Sequence, residues 1–200
     1  MADLRLIVGL GNPGREYAST RHNAGERWLR CFSERFDIAL AAESRFLGEC
    51  GRAELFGQEV RVLFPTTFMN ASGEAIGATA RFFKIAPSQI LIVYDDVAFP
   101  VGVSKIRLGG GHNGHNGIKS AIRAFAGTSD FARLRIGVGH PGDPDRMTPF
   151  LTRERMSADD LDKERASASL DDEVVEFALS GHWQKAMTRF HAPDEGQVDA

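Results

Sequence analysis

The run Ile90-Leu91-Ile92-Val93-Tyr94 is apolar at every position and stops on Asp95-Asp96. A strand with no polar side is buried on both faces, so it belongs in the interior of a sheet that carries helices on each side. Residues 4–9, apolar except for Arg5, read as a second such strand, ended by glycines and an Asn-Pro-Gly turn. Between and after them come segments of helical period. Residues 24–36 set Trp28, Leu29, Phe32 and Phe36 at helical spacing, residues 72–84 place Ile76, Ala80 and Phe83 on one side, and residues 118–126 follow a glycine-rich loop. Residues 46–55 and 59–64 flank "FGQ" as a hairpin, and residues 104–108 and 134–138 read as further strands. "HPGDPDRMTP" reads as an exposed turn. Ser157 with Asp160 has the form of a capping box opening an acidic helical stretch to about Ser180, and residues 183–191 form a last helix or turn. The expectation is an α/β fold: one domain over residues 1–191, with a mixed, largely parallel twisted sheet flanked by helices, and a disordered tail over 192–200.

Two hundred residues suffice for one well-buried core, and no apolar stretch approaches bilayer length, so no membrane contact is expected. The first residues lack a basic segment followed by a long apolar one, which predicts no secretory leader and a cytoplasmic location. The two cysteines, Cys31 and Cys50, form no CxxC pair and read as packing residues of a reducing compartment. The net charge of −3 hides a segregation. Residues 101–135 carry Lys105, Arg107, Lys119, Arg123, Arg133 and Arg135 against Asp130, while residues 154–176 are dominated by acids. A phosphate backbone responds to the local field, so a nucleic-acid partner stays open beside the plainer reading of two solvated charged surfaces.

Gly9, Gly11 and Gly14 in "LIVGLGNPG" make a literal G-x-G-x-x-G. A dinucleotide cradle requires a helix to start at the third glycine, whereas "REYASTRHNAG" is polar and delays the helix to Thr20 or Asn23. The stretch can instead deliver Asn12 and His22. A carboxylate at a strand's C-terminal end, such as Asp95, fixes an imidazole tautomer and leaves the other nitrogen to take a proton from water. Asn12, Asn70 and Asn116 each sit at a loop junction, where asparagine caps helices and forms turns. Together they offer neutral amides suited to a peptide backbone or a developing oxyanion. His112 and His115 in "GGGHNGHNG" lack the companions of a metal site, and glycines flanked by cations suit a phosphate-bearing polymer better. No G-x-S-x-G elbow supplies a serine nucleophile.

Six blocks, "LIVGLGNPGREYASTRHNAG", "PTTFMNASG", "ILIVYDD", "KIRLGGGHNGHNGIKS", "RLRIGVGHPG" and "KAMTRFHA", resemble in order and spacing the bacterial-type peptidyl-tRNA hydrolases over nearly the whole chain. The resemblance implies a monomeric esterase without metal or other cofactor that cleaves the ester between a peptide and the 3′-terminal ribose of tRNA. It implies His22 as general base, Asp95 as the carboxylate that orients it and Asn12 near the reacting carbonyl. Asn70 and Asn116 would hold the peptide backbone, Tyr17 and Met69 would line the site, and His115 would support Asn116. Arg107 and Arg135 would grip the terminal phosphate, with Lys105 and Arg133 strengthening the field. The chain departs from the family at Ala98, where a polar or acidic residue is common, and in the bulk of Phe99. Two other classes remain to be weighed: a catalytically silent RNA-binding adaptor on the same fold, and a nucleotide-dependent oxidoreductase.

Overall fold

The computed structural model describes residues 2–192. The expected tail therefore lies almost wholly outside the described residues. Seven strands form one sheet: β1 (Leu6–Gly9), β2 (Ala41–Glu43), β3 (Gly48–Leu55), β4 (Gln58–Pro65), β5 (Ile90–Asp96), β6 (Ser104–Leu108) and β7 (Ala132–Gly137). Their order across the sheet is β2-β3-β4-β1-β5-β7-β6. The pairs of β1 with β4, β1 with β5 and β5 with β7 are parallel, and the pairs towards both edges are antiparallel. The parallel character read from the two apolar runs thus belongs to the middle of a mixed sheet, where β1 and β5 lie side by side.

Strand periodicity assigns each side chain to a face. Ile7, Leu91, Val93, Leu134, Ile136 and Ile106 pack in one core with α1 (Ala24–Arg35), α6 (Asp172–Leu179) and α7 (Trp183–His191). Leu6, Val8, Ile90, Ile92 and Tyr94 pack in the other with α2 (Ser72–Phe83) and α3 (Asn116–Ala124). Asp95 continues the first series, which puts its carboxylate on the α1 side.

α1 approaches this sheet with backbone rather than side chains. A methyl group on Gly25 would overlap the Val93 carbonyl oxygen, and one on Gly9 would overlap the Gly25 carbonyl. The Leu10 N–H donates to Val93 O and the Glu26 N–H to Leu10 O, both at 2.9 Å. Gly9 is therefore required for close packing of helix on strand, which answers the glycine pattern without a bound phosphate. Gly14, at φ +118°, makes the turn.

Three expectations change, and one strand was not expected at all. The acidic segment is two helices, α5 (Ala158–Ala168) and α6, because Leu170 turns inward to the core and Asp171 caps a new helix by accepting from the Val174 N–H at 2.8 Å. The supposed exposed turn, residues 140–149, runs into α4 (Met147–Thr152). β2, three exposed residues at a sheet edge, gave no burial pattern to read. Of the cysteines, Cys50 is half-buried, and desolvation pushes its thiol up to about 11, while Cys31 is exposed on α1 rather than packed.

Candidate active site

The loops at the C-terminal ends of β1, β4 and β5 meet beside the Gly9–Gly25 contact. After β1, a single 3-10 turn (Arg21–Asn23) leads into α1 and buries His22 against Asp95. His22 Nδ1 lies 3.0 Å from both carboxylate oxygens of Asp95. His115 Nε2 reaches Oδ1 of the same carboxylate at 3.0 Å, and its Nδ1 accepts the Ile118 N–H at 3.3 Å, capping α3. That acceptance assigns the His115 proton to Nε2, from which it is donated to Asp95. The carboxylate, 2 % exposed, accepts from two imidazoles.

Desolvation alone would raise the Asp95 carboxyl. The two histidines outweigh it and hold the group well below the usual carboxylate range. For His22 burial pulls the imidazolium down, and the charge and hydrogen bond of Asp95 more than compensate, so its pKa is raised. Asp95 is thus an acceptor at neutral pH, neutral His22 carries its proton on Nδ1, and Nε2 keeps a lone pair on the wall of a cleft of about 380 Å³. The same three side chains bring potential ligand atoms within 4.8 Å of one another, a grouping compatible with a divalent ion. A metal at His115 Nε2 would have to displace the proton now given to Asp95.

Asn12 is 7 % exposed and fixed on three sides. Its N–H donates to Asn23 Oδ1 at 3.0 Å, its carbonyl accepts from Asn23 Nδ2 at 2.9 Å, and its side-chain Oδ1 accepts the Met69 N–H at 2.9 Å. With Oδ1 occupied, the free end of the amide is the donor, Nδ2. Asn23, the neighbour of His22, therefore ties Asn12 to the turn that carries His22.

Residues 6–197 match the family model described as peptidyl-tRNA hydrolase. The chain belongs to the peptidyl-tRNA hydrolase family. It is 44 % identical over 194 residues to the peptidyl-tRNA hydrolase of Shewanella oneidensis, an alignment covering 96 % of this chain and 98 % of that one. The Histophilus somni peptidyl-tRNA hydrolase shows the same identity and the same coverage. The crystal structure of peptidyl-tRNA hydrolase from Acinetobacter baumannii superposes with a TM-score of 0.91 at 36 % identity, covering 96 % of each chain.

The family resemblance also points to residues around this centre. Met69 is buried, and a methyl group on Gly117 would come 2.6 Å from its Sδ and 3.1 Å from His115 Cε1, so Gly117 lets the loops after β4 and before α3 close on each other. Asn70 and Asn116 are exposed at the neighbouring starts of α2 and α3, which are joined where the Gly73 N–H donates to Ser120 Oγ at 2.9 Å. Tyr17 is half-buried in the turn between Asn12 and His22. His115 bonds to Asp95, a contact additional to the support of Asn116 that the resemblance implies. The far wall of the cleft includes Met147, Thr148, Leu151 and Thr152 of α4, which the sequence reading missed.

The four expected phosphate contacts lie on two adjacent antiparallel strands, with Lys105 opposite Arg135 and Arg107 opposite Arg133. Alternation puts all four on one face, but their fates differ. Arg107 is exposed. Arg135 is oriented by Asp96, whose Oδ2 accepts from its Nε at 2.7 Å, and by the Phe99 ring, 4.7 Å from its guanidinium. The bulky Phe99 thus serves Arg135, and Ala98 keeps the turn closed by donating its N–H to Asp96 Oδ1 at 2.9 Å. Arg133 is 2 % exposed and gives its two terminal amino groups to the carbonyls of Gly110 and Gly111. It anchors the glycine-rich loop and is not free to meet a phosphate directly.

Proposed function

We propose that this chain hydrolyses the ester between a peptide, or N-acylated amino acid, and the 3′-terminal ribose of tRNA. The observation that carries the reading is the His22–Asp95 pair, which leaves Nε2 of a neutral imidazole as a base facing the cleft. Nε2 takes a proton from water as the water oxygen attacks the ester carbonyl. Asn12 Nδ2 donates to the oxygen on which negative charge develops, and the proton returns to the departing ribose oxygen. Asn70 and Asn116 hydrogen-bond the peptide main chain, with Tyr17 and Met69 lining its path, so recognition ignores side-chain identity. His115 steadies Asp95. All these groups come from one chain, and the active unit is a monomer acting in the cytoplasm.

The basic face formed by Lys105, Arg107 and Arg135 receives the tRNA phosphates, with Arg133 adding to its field from below. Replacing Arg107 by alanine is expected to weaken tRNA binding and lower the magnitude of the log–log salt slope by about 1, as one phosphate contact is lost. Titrations at several salt concentrations measure it, and an unchanged slope would remove Arg107 from the interface. The reaction itself is tested by incubating N-acyl-aminoacyl-tRNA with the purified protein and following release of the acylated amino acid. An adaptor of the same fold would bind the tRNA and release nothing.

A further inference from the structure

The α4 wall has little to hold it in place. It runs for six residues, of which Phe150 is the buried one. Arg21, the residue before His22, supplies a hold. Its side chain is 13 % exposed and touches three residues in two separate pieces of chain. Nε donates to the Val138 carbonyl at 3.3 Å, the guanidinium carbon lies 4.0 Å from the centre of the Phe150 ring, and Nη1 stands 4.0 Å from Glu154 Oε2. Backbone pairing continues the attachment beyond α4, through a bridge between Thr20 and Arg155 and a 2.9 Å bond from the Met156 N–H to Ser19 O.

We infer that Arg21 is a positioning residue, a latch that fixes the α4 wall of the cleft against the turn bearing His22. The inference rests on the hydrolase reading for its kinetic consequences, though not for its structural ones. Arginine suits the task because a flat guanidinium can stack on an aromatic ring while its edge reaches a carbonyl, which a lysine ammonium cannot do. The arrangement carries a cost: Nη1 is buried without a hydrogen-bond partner among the described residues. A buried unsatisfied donor is unfavourable by itself, so the stacking on Phe150 and the bond to Val138 must repay it. Arg21 acts through α4, whose Met147, Thr148, Leu151 and Thr152 face the same cleft as His22. Its removal should loosen substrate binding and leave proton transfer intact.

The test compares wild type, Arg21→Met, Phe150→Leu and the double variant, with Arg21→Lys as the conservative partner. Each single variant is expected to raise KM for N-acyl-aminoacyl-tRNA about five- to tenfold, with kcat within about twofold and the acid limb of the pH profile unmoved. The double variant should be no worse than the weaker single, because both substitutions cut one link. Arg21→Lys should fall between wild type and Arg21→Met. Hydrogen exchange of the amides of residues 147–152, measured without substrate, should speed up in the same variants. A fall in kcat at constant KM, or a shifted acid limb, would place the effect on His22 and overturn the latch. Additive losses in the double variant would do the same. Unchanged exchange in α4 would overturn it whether or not the protein hydrolyses the ester, while a wild type without hydrolysis but with the expected exchange would fault only the hydrolase reading.

Discussion

Alanine in place of His22 is expected to lower kcat for release of N-acylated amino acid from tRNA by about a thousandfold, the usual scale for loss of a general base. Among the described residues, this side chain is the one group in the cleft that has both a free lone pair and a carboxylate to stabilise the proton it acquires. Substrate affinity should change little, since the proposed tRNA contacts are made by Lys105 and Arg107 on β6 and Arg135 on β7, whose side chains point to the other face of the sheet from the Asp95 carboxylate that holds His22. The fold should also survive. The turn is secured through the backbone and Asn23, whose amide bonds to Asn12 and Glu26 do not involve the imidazole. Single-turnover hydrolysis and a tRNA-binding titration on the same preparation separate these effects. Turnover within about tenfold of wild type in a folded variant would mean that another group activates the water.

The second large effect is expected from Asp95→Asn, and it has a sign as well as a size. In the wild type the carboxylate raises the His22 pKa despite burial. The base is protonated and silent below that value, so the acid limb of kcat/KM should lie above the ordinary histidine value of about 6.5 and activity should rise as pH passes through it. Asparagine removes the negative charge and leaves desolvation unopposed. The His22 pKa then falls, and the acid limb moves to lower pH. The plateau rate should nevertheless drop by about a hundredfold or more, because a neutral amide no longer stabilises the imidazolium that forms during the reaction. Geometry adds to the loss. Asp95 accepts from two imidazoles, whereas the amide of asparagine has a single acceptor oxygen and a competing donor group. A pH–rate profile across about 5 to 9 reads both quantities. An acid limb that moved upward or stayed fixed would detach Asp95 from the titration of the base.

Much of this centre was legible from residue order because its parts obey local rules. The apolar run 90–94 announced a central strand, and strand ends in α/β sheets are where ligands gather, so Asp95 stood out. The cations of residues 101–135 were legible as a local basic field, and the alternation of side chains along β6 and β7 gathers four of them on one face. What the alternation does not reveal is what lies over that face. Arg133 is buried by a glycine-rich loop whose path is set by contacts far away in sequence. His115 was read beside its neighbour Asn116, but its partner is Asp95, twenty residues back. The α4 helix escaped because Gly142, Pro144 and Pro149 bracket and interrupt a short segment, and proline is a turn signal whenever the helix around it is only six residues long. The break between α5 and α6 had a visible mark that went unread: Asp171 followed by Asp172 and Glu173 is a helix start, with its cap and acidic first turn.

The contact of Gly9 with Gly25 gives the molecule a division of labour. Two main chains touching without side chains between them leave no room for gradual adjustment, so the spacing of His22 from Asp95 is inherited from the packing of the core itself. The walls of the cleft, α4 and the loop before α3, hang on individual side chains such as Arg21 and Arg133. Variation can therefore reshape what the cleft admits, residue by residue, while the His22–Asp95 pair stays under the protection of the hydrophobic core.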